Sequence, residues 1–203
     1  MTTLYELDGS LYISVTNRCP CACIFCIRNN GDTIRESGSL WFDEAEPTAE
    51  DIIAEFDNWD LSKYSSIVFC GYGEPLERID VVCEVAKYIK SITNLPVRIN
   101  TNGLSDLING REHTAQELKG LVDAVSVSLN APDAQSYLKV TNSCYGEKSF
   151  EAMLKFAEEC KSVVDKVTFT VVDVISKEEI ERSKKLADEM GIPLRVREYV
   201  GQY

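Results

Sequence analysis

Four cysteines stand close together near the N-terminus and could bind a metal. Cys19, Cys21, Cys23 and Cys26 fall within eight residues, whereas the other four of the eight cysteines are scattered along the chain. Cysteine thiolates bind zinc and iron-sulfur clusters alike. Cys19, Cys23 and Cys26 form a Cys-x3-Cys-x2-Cys pattern that Cys21 interrupts. Three thiolates on a four-iron cluster would leave one iron open to a small molecule. Four thiolates could instead close a structural zinc site, although the Cys21-x-Cys23 spacing is tight for tetrahedral ligands.

Three further segments carry groups that could bind a polar ligand. Residues 71–75 read Gly-Tyr-Gly-Glu-Pro, in which the glycines allow close backbone approach and Glu74 offers a carboxylate suited to an ammonium group. Residues 100–103 and 128–132 are short polar sets that could bind hydroxyls or a carboxylate. Each of the three segments is also consistent with an ordinary turn.

Length and charge limit the classes of protein that this sequence can belong to. The chain has 203 residues and a formal net charge of −12. This length suits a single domain, residues 1–203, and the acidity makes nucleic acid a less favoured partner. No apolar run approaches the roughly 18 residues of a membrane span, and the N-terminus lacks the features of a signal peptide. We therefore expect a cytoplasmic protein without a membrane-spanning segment.

Alternating β-rich and helical segments fill the sequence. The β-rich runs are 11–16, 66–70, 97–101, 124–130, 167–174 and 194–199. The amphipathic segments are 49–58, 79–92, 115–121, 150–164 and 177–190. Ser176 with Glu179, and Thr114 with Glu117, match the capping box, and Gly191 predicts the end of the last helix. Strands separated by helices predict right-handed crossovers and a parallel sheet.

Six strand-helix steps predict an α/β fold with parallel strands, a partial (βα)6 TIM-like barrel that is open on one side. A closed eight-stranded barrel typically needs about 250 residues. A doubly wound sheet is the alternative, but the first turn lacks the glycine-rich phosphate-binding pattern. Val125 and Val127 alternate with Ser126 and Ser128, so the apolar set should pack on helices and the polar set should line a cavity. The cysteine loop and the three polar segments follow consecutive strands and should meet at the carboxyl end of the barrel.

Three arginines face the barrel interior by the same alternation. Arg98, Arg195 and Arg197 carry guanidinium groups, which favour carboxylate or phosphate partners. They could bind an anionic ligand in the cavity. They could equally pair with Glu198 or Asp173 as structural ion pairs.

On these motifs the sequence resembles the radical S-adenosylmethionine (SAM) enzymes. Its cysteine loop matches the family pattern Cys-x3-Cys-x-aromatic-Cys, and residues 71–75 resemble the family's Gly-Gly-Glu-Pro stretch. The resemblance covers nearly the whole chain, and it implies that Cys19, Cys23 and Cys26 bind a 4Fe-4S cluster. SAM would chelate the open iron through its amino and carboxylate groups. The residues that the resemblance implies for SAM binding are Phe25, Gly71, Tyr72, Gly73, Glu74, Pro75, Asn100, Thr101, Ser128 and Asn130.

The resemblance also implies an activity. Reductive cleavage of SAM would give a 5'-deoxyadenosyl radical, which abstracts hydrogen from an unidentified substrate: a small molecule, a peptide or a protein. An external one-electron reductant, similar to flavodoxin or ferredoxin, would supply the electron. The Trp41-Phe42 loop and residues 46–48 further resemble the TatD-associated radical SAM subgroup. Of the remaining cysteines, Cys21 is expected to be a bystander in the loop and Cys70 to point into the barrel.

One alternative from a different class stays open. The cysteine loop could hold a metal without catalysis, as in a structural zinc protein or an iron-sulfur electron-transfer protein.

Overall fold

A seven-stranded sheet forms the centre of the computed structural model, which describes residues 2–34, 37–43 and 45–199. The strands follow one another in the sheet in chain order: β1 (Leu4–Leu7), β2 (Ser10–Ile13), β3 (Ile67–Phe69), β4 (Val97–Thr101), β5 (Ala124–Ser128), β6 (Lys166–Val172) and β7 (Leu194–Arg197). Strands β2 to β7 run parallel, whereas β1 pairs antiparallel with β2. No ladder joins β7 to β1 in the described residues. The predicted α/β partial barrel, open on one side, is confirmed.

Helices connect the parallel strands. The α-helices in the described residues are α1 (Ala49–Glu55), α2 (Ile79–Ile92), α3 (Ser105–Asn109), α4 (Ala134–Thr141), α5 (Lys148–Cys160) and α6 (Lys177–Glu189). Short 3-10 helices span Ile27–Asn30, Phe56–Asn58, Leu61–Lys63, Pro75–Arg78 and Thr114–Leu118. In the part of the chain that the structure describes, no helix is both long and apolar enough to cross a membrane.

Strand β1 is an addition to the six predicted strands. A two-residue turn, Asp8-Gly9, joins it to β2, and both residues have positive φ (49° and 72°). This is the backbone of a type I′ hairpin turn, for which Asp-Gly is a favoured sequence. The dipeptide between two short apolar runs was therefore a usable signal that the sequence reading missed.

The predicted helix 115–121 and its capping box are wrong. The structure has a 3-10 helix at Thr114–Leu118. The Thr114 hydroxyl donates to Asp106 Oδ1 at 2.6 Å instead of capping its own segment, and Glu117 accepts hydrogen bonds from Arg111. Tertiary partners thus replaced the local cap. The capping box of Ser176 with Glu179 at the start of α6 is confirmed.

The two faces of the sheet differ as the alternation predicts. On β5, Val125 and Val127 are buried in the core beneath the helices, whereas Ser126 and Ser128 on the opposite face are half-buried. Helix α2 buries Ile79, Val82, Val85, Ala86 and Ile89. These side chains repeat at helical spacing, so one apolar stripe covers the outer face of the sheet. The inner face stays polar and lines a cavity.

Candidate active site

A cavity of about 280 Å³ opens inside the barrel, at the carboxyl ends of its strands. Nearly all of the residues predicted for the site line it: Cys19, Cys23, Phe25, Cys26, Gly71, Tyr72, Gly73, Glu74, Asn100, Thr101, Ser128 and Asn130. Pro75 is the exception, because it is buried at the start of the 3-10 helix Pro75–Arg78. The topology therefore brings together the four segments that the sequence reading grouped.

The cysteine loop is attached to the C-terminal end of α4, a helix that the sequence reading missed. The backbone N–H groups of Ala22 and Ile24 donate to the carbonyls of Thr141 (2.9 Å) and Val140 (3.0 Å). The Asn142 side-chain amide donates to the Ala22 carbonyl at 3.1 Å. Because the last carbonyls of a helix have no partner within it, these contacts satisfy both segments. Helix α4 thereby fixes where the cysteines lie.

Four thiols of the loop line the cavity, and none forms a disulfide. Cys19, Cys23 and Cys26 are partly exposed, whereas Cys21 is only 5% exposed. The contact with the Cys21 thiol and burial raise the pKa of Cys19. Contact with Cys19 lowers the pKa of Cys21, but contact with Cys23 and burial outweigh it and raise that pKa to about 12. The Cys19 and Cys21 thiols are thus protonated near neutral pH. A thiol that binds a metal releases its proton.

These thiols fit an iron-sulfur cluster by the chemistry of the donor set. Three free cysteines of one short loop face one cavity, and the Asn102 side-chain amide lies 3.9 Å from Cys19 Sγ. Within the described ranges, no group of three or more histidine, cysteine, aspartate or glutamate side chains is arranged to hold a metal ion as it stands. Binding would therefore require the cysteine side chains to turn toward a common point.

The glycines of the segment 71–75 are required by the close approach of residues 14–18, which lead into the cysteine loop. A side chain at Gly73 would collide with the backbone carbonyls of Thr16 and Arg18, and one at Gly71 would collide with Ser14. The Glu74 backbone N–H also donates to the Arg18 carbonyl at 2.8 Å. The two segments therefore interlock through backbone groups, which leaves the glycine backbone facing the cavity.

The Glu74 carboxylate joins the ends of two strands. Its Oε1 accepts hydrogen bonds from the Leu76 N–H (3.1 Å) and the Thr101 hydroxyl (2.6 Å), and its Oε2 accepts one from the Asn102 N–H (2.7 Å). The side chain is 4% exposed. Burial raises the pKa of Glu74 to about 7, although the three hydrogen bonds oppose this rise. Glu74 thus links the segment after β3 to the end of β4 through hydrogen bonds, and it also lines the cavity.

Two polar atoms at the site have no partner among the described residues. They are Oδ1 of Asn100 and the hydroxyl of Tyr137, and both belong to residues that line the cavity. A buried polar group without a hydrogen bond is costly, so such atoms indicate an additional polar ligand. This observation, together with the thiols, fits a cavity built to hold a polar cofactor.

Several lining residues lie outside the predicted set. Tyr5 comes from the missed strand β1, and Tyr137 and Thr141 come from the missed helix α4. Cys70 faces the cavity as predicted. Tyr12 also lines it, as the alternation of the predicted strand 11–16 indicates.

Comparison with known proteins matches the sequence to a family profile and to two relatives. A family profile described as the Radical SAM superfamily matches residues 13–187. The dual-specificity RNA methyltransferase RlmN of Nautilia profundicola is 24% identical over 204 residues, which cover 94% of this chain and 53% of that protein. A probable GTP 3',8-cyclase of Methanocaldococcus jannaschii is 32% identical over 135 residues, which cover 65% of this chain and 40% of that protein. The chain spans about half the length of the curated relatives it matches.

A solved structure has the same fold. Streptococcus suis SuiB bound to S-adenosylmethionine superposes with a TM-score of 0.67 at 18% identity, over 96% of this chain and 40% of that chain. At this identity the likeness concerns the fold alone.

Proposed function

This chain belongs to the radical SAM superfamily, and from that membership we propose that Cys19, Cys23 and Cys26 hold a 4Fe-4S cluster to which SAM binds. When bound, the cluster would supply the electron that cleaves SAM reductively to methionine and a 5'-deoxyadenosyl radical, which abstracts hydrogen from the substrate. Cys21 is not a ligand in this proposal. The small TatD-associated subgroup stays our prediction for the branch within the superfamily.

One observation carries the proposal: a single cavity unites the cysteine loop with polar groups from three strand ends. Residues 71–74 follow β3, Asn100 and Thr101 end β4, and Ser128 and Asn130 lie at and beyond the end of β5. A cavity with thiols on one wall and hydrogen-bonding groups on the others can hold a metal cluster and a charged nucleoside side by side.

Each group has a proposed task toward SAM. The backbone of Gly71, Tyr72 and Gly73 lies on the cavity and would accept or donate hydrogen bonds to the methionyl end. Glu74 borders the same wall, where a carboxylate attracts an ammonium group. Its hydrogen bonds hold the loop in place, so we assign it a positioning role as well. Pro75 lies off the cavity and would act only by starting the 3-10 helix behind the loop.

The remaining groups are proposed for the other parts of SAM. Asn100 offers an unpartnered carbonyl oxygen, which suits a hydroxyl or amine of the ligand. Ser128 and Asn130 face the cavity from the next strand. Phe25 lines the cavity beside the cysteines and offers an aromatic face to the adenine.

The partners of the reaction follow from the chemistry. An external one-electron reductant, of the flavodoxin or ferredoxin kind, would supply electrons, and a cytoplasmic location would keep the loop thiols reduced. We propose a small molecule, a peptide or a protein as the substrate. One relative is named as an RNA methyltransferase, but the net charge of −12 makes nucleic acid the less favoured choice for this chain.

The experiment that tests this proposal is anaerobic reconstitution with iron and sulfide. The protein should turn brown and bind about four irons per chain, and the electron paramagnetic resonance spectrum of its reduced cluster should change when SAM is added. Colourless protein that binds one zinc and no SAM would instead support a structural metal site.

A further inference from the structure

Two arginines beside the cavity have no acidic partner among the described residues. Arg98 on β4 and Arg197 on β7 form no ion pair with any residue in the described part of the chain. Four arginines elsewhere do pair with carboxylates: Arg18, Arg78, Arg111 and Arg182. The chain has 33 acidic and 21 basic residues, so carboxylate partners for arginine are abundant.

The structural ion pairs considered from the sequence do not form. Asp173 uses its Oδ1 to accept a 2.5 Å hydrogen bond from the Tyr199 backbone N–H, which holds the chain beyond β7. Glu198 lines the cavity next to Arg197 without pairing with it among the described residues. The third arginine, Arg195, is exposed on the edge strand, as Arg197 is, but unlike Arg197 it does not line the cavity. Arg98 and Arg197 therefore keep their charges available.

The Tyr12 hydroxyl and the Cys70 thiol are the neighbours that the two arginines affect. The Arg98 Nη2 donates to the Tyr12 hydroxyl at 3.3 Å, which leaves that hydroxyl's own hydrogen free to bind a ligand. Arg197 and Tyr12 line the cavity together with Cys70. Burial raises the pKa of Cys70, and the positive charges of Arg197 and Arg98 oppose that rise. The charges of both arginines thus act on the Cys70 thiol, Arg98 from β4 and Arg197 from the end of β7.

The two arginines approach the cavity from different heights along the barrel. Arg98 is the second residue of β4, four residues before Asn102, which places its Cα about 13 Å further down the strand. Arg197 is the last residue of β7, three strands away, so it stands at the carboxyl end of the sheet. It lines the same cavity as the cysteine loop and residues 71–74.

We propose that Arg98 and Arg197, with the Tyr12 hydroxyl, bind an anionic group of the substrate, a carboxylate or a phosphate. Guanidinium groups match both anions through paired hydrogen bonds, and a partly enclosed site strengthens such bonds. An anion held there would keep the rest of the substrate in the cavity that the cysteine loop also lines. This inference rests on the proposed function, because it assigns the second reactant of that reaction.

Calorimetric titration of the reconstituted protein tests the assignment, with inorganic phosphate and succinate as probes. One of them should bind, and the probe that binds distinguishes a phosphate from a carboxylate. The variant R98Q/R197Q should bind it at least tenfold more weakly, whereas R111Q/R182Q, which removes two surface arginines, should bind it like the natural chain. The single variant R197Q changes an exposed residue and should fold even if the double variant does not.

Two results would overturn the assignment. The first is that the natural chain binds neither anion. The second is a tenfold loss of SAM affinity in R197Q, which would show that Arg197 binds SAM instead of the substrate. Anion binding does not require SAM cleavage. A protein that binds the anion through these arginines but never cleaves SAM would refute the proposed function and leave the anion site standing.

The Tyr137 hydroxyl is a separate feature of the cavity. Its side chain is 0% exposed, yet the hydroxyl has no hydrogen-bond partner in the described residues, although Tyr137 lines the cavity. Burial raises its pKa, and the neighbouring groups that contribute are Cys21, Cys23, Glu74 and Cys19. The hydroxyl therefore keeps its proton, and Tyr137 lines the same cavity as the loop thiols.

We infer that Tyr137 donates a hydrogen bond to a sulfur of the bound cluster or of its cysteine ligands. Such a bond stabilises the more negative, reduced state and so raises the reduction potential. Tyr137 would then be a positioning and tuning residue rather than a catalytic one. The inference also depends on the proposed cluster.

Two measurements on Y137F test this role, with Y64F as the control because the Tyr64 hydroxyl bonds Glu6 away from the cavity. A redox titration followed by electron paramagnetic resonance should give a more negative midpoint potential for Y137F and an unchanged one for Y64F. In the metal-free protein, Y137F should resist urea at least as well as the natural chain, because it loses only an unsatisfied hydroxyl. An unchanged potential in Y137F, or a metal-free Y137F that unfolds at lower urea concentration than Y64F, would overturn the inference.

Discussion

The backbone N–H of Asn102 donates a 2.7 Å hydrogen bond to Oε2 of Glu74. The Asn102 side-chain amide in turn lies 3.9 Å from Cys19 Sγ. One short chain of contacts thus links the segment after β3, the end of β4 and the cysteine loop. We therefore expect a substitution at Glu74 to alter the position of the Cys19 thiol, although the two residues are far apart in sequence.

Glu74 should make the stability of the metal-free protein depend on pH. Burial raises its pKa from 4.5 to about 7. Between these pH values the carboxyl group is therefore protonated in the folded state and ionised in the unfolded state. The contribution of Glu74 to the free energy of unfolding is full below pH 4.5 and is lost as the pH rises through 7. The free energy of unfolding falls by at most about 3 kcal/mol through this group. Urea unfolding of the natural chain from pH 5 to 8 measures it.

The matched variant for this prediction is Glu74→Gln, which cannot ionise. Its free energy of unfolding should change less over the same pH range, although it loses one hydrogen bond with Asn102 and is less stable at pH 5. Equal pH slopes for the two proteins would show that Glu74 does not titrate in this range.

Gly73→Ala should disturb the cysteine loop. The added methyl group collides with two backbone carbonyls, which cannot rotate away as a side chain could. Strain of this kind costs about 1–3 kcal/mol, and we expect both lower stability and fewer bound irons. Denaturant unfolding and iron analysis measure the two effects.

Gly110→Ala is the control for this substitution. Gly110 has a positive φ of 62° but open space around it, so alanine should cost stability without affecting iron content. Equal iron content in Gly73→Ala and Gly110→Ala would refute the proposed interlock of the two loops.

The loop cysteines should divide into ligands and a bystander. Separate alanine substitutions at Cys19, Cys23 and Cys26 should each reduce the bound iron from about four per chain to near zero, because a three-thiolate site has no spare ligand. Cys21→Ala should keep the cluster. Iron and sulfide analysis after anaerobic reconstitution measures this, and loss of the cluster in Cys21→Ala alone would reassign the ligands.

Much of the fold follows from local patterns in the sequence. Strand alternation on β4 and β5 predicted a polar interior, since successive side chains point to opposite faces. The hairpin of β1 was missed because its strands are only four residues each, although Asp8-Gly9 marked the turn. Helix α4 was missed because eight residues after a proline-containing turn give little periodicity.

The site was predictable where it depends on strand ends and not where it depends on packing. The cysteines, residues 71–74 and Asn100 follow strands of a parallel sheet, so the topology gathers them. Tyr137 reaches the cavity from α4 only because that helix holds the cysteine loop. No spacing rule announces such a contact between residues more than a hundred positions apart. The hydrogen bonds that occupy Glu74 were equally invisible, since they require the end of β4 beside it.

The central claim is that this chain cleaves SAM reductively at its cysteine loop. The direct measurement is the 5'-deoxyadenosine formed when anaerobically reconstituted protein receives SAM and dithionite, with Cys23→Ala as the control. We predict 5'-deoxyadenosine and methionine in equal amounts from the natural chain and none from Cys23→Ala. Cluster-loaded natural protein that forms no 5'-deoxyadenosine, or equal formation by Cys23→Ala, would contradict the claim.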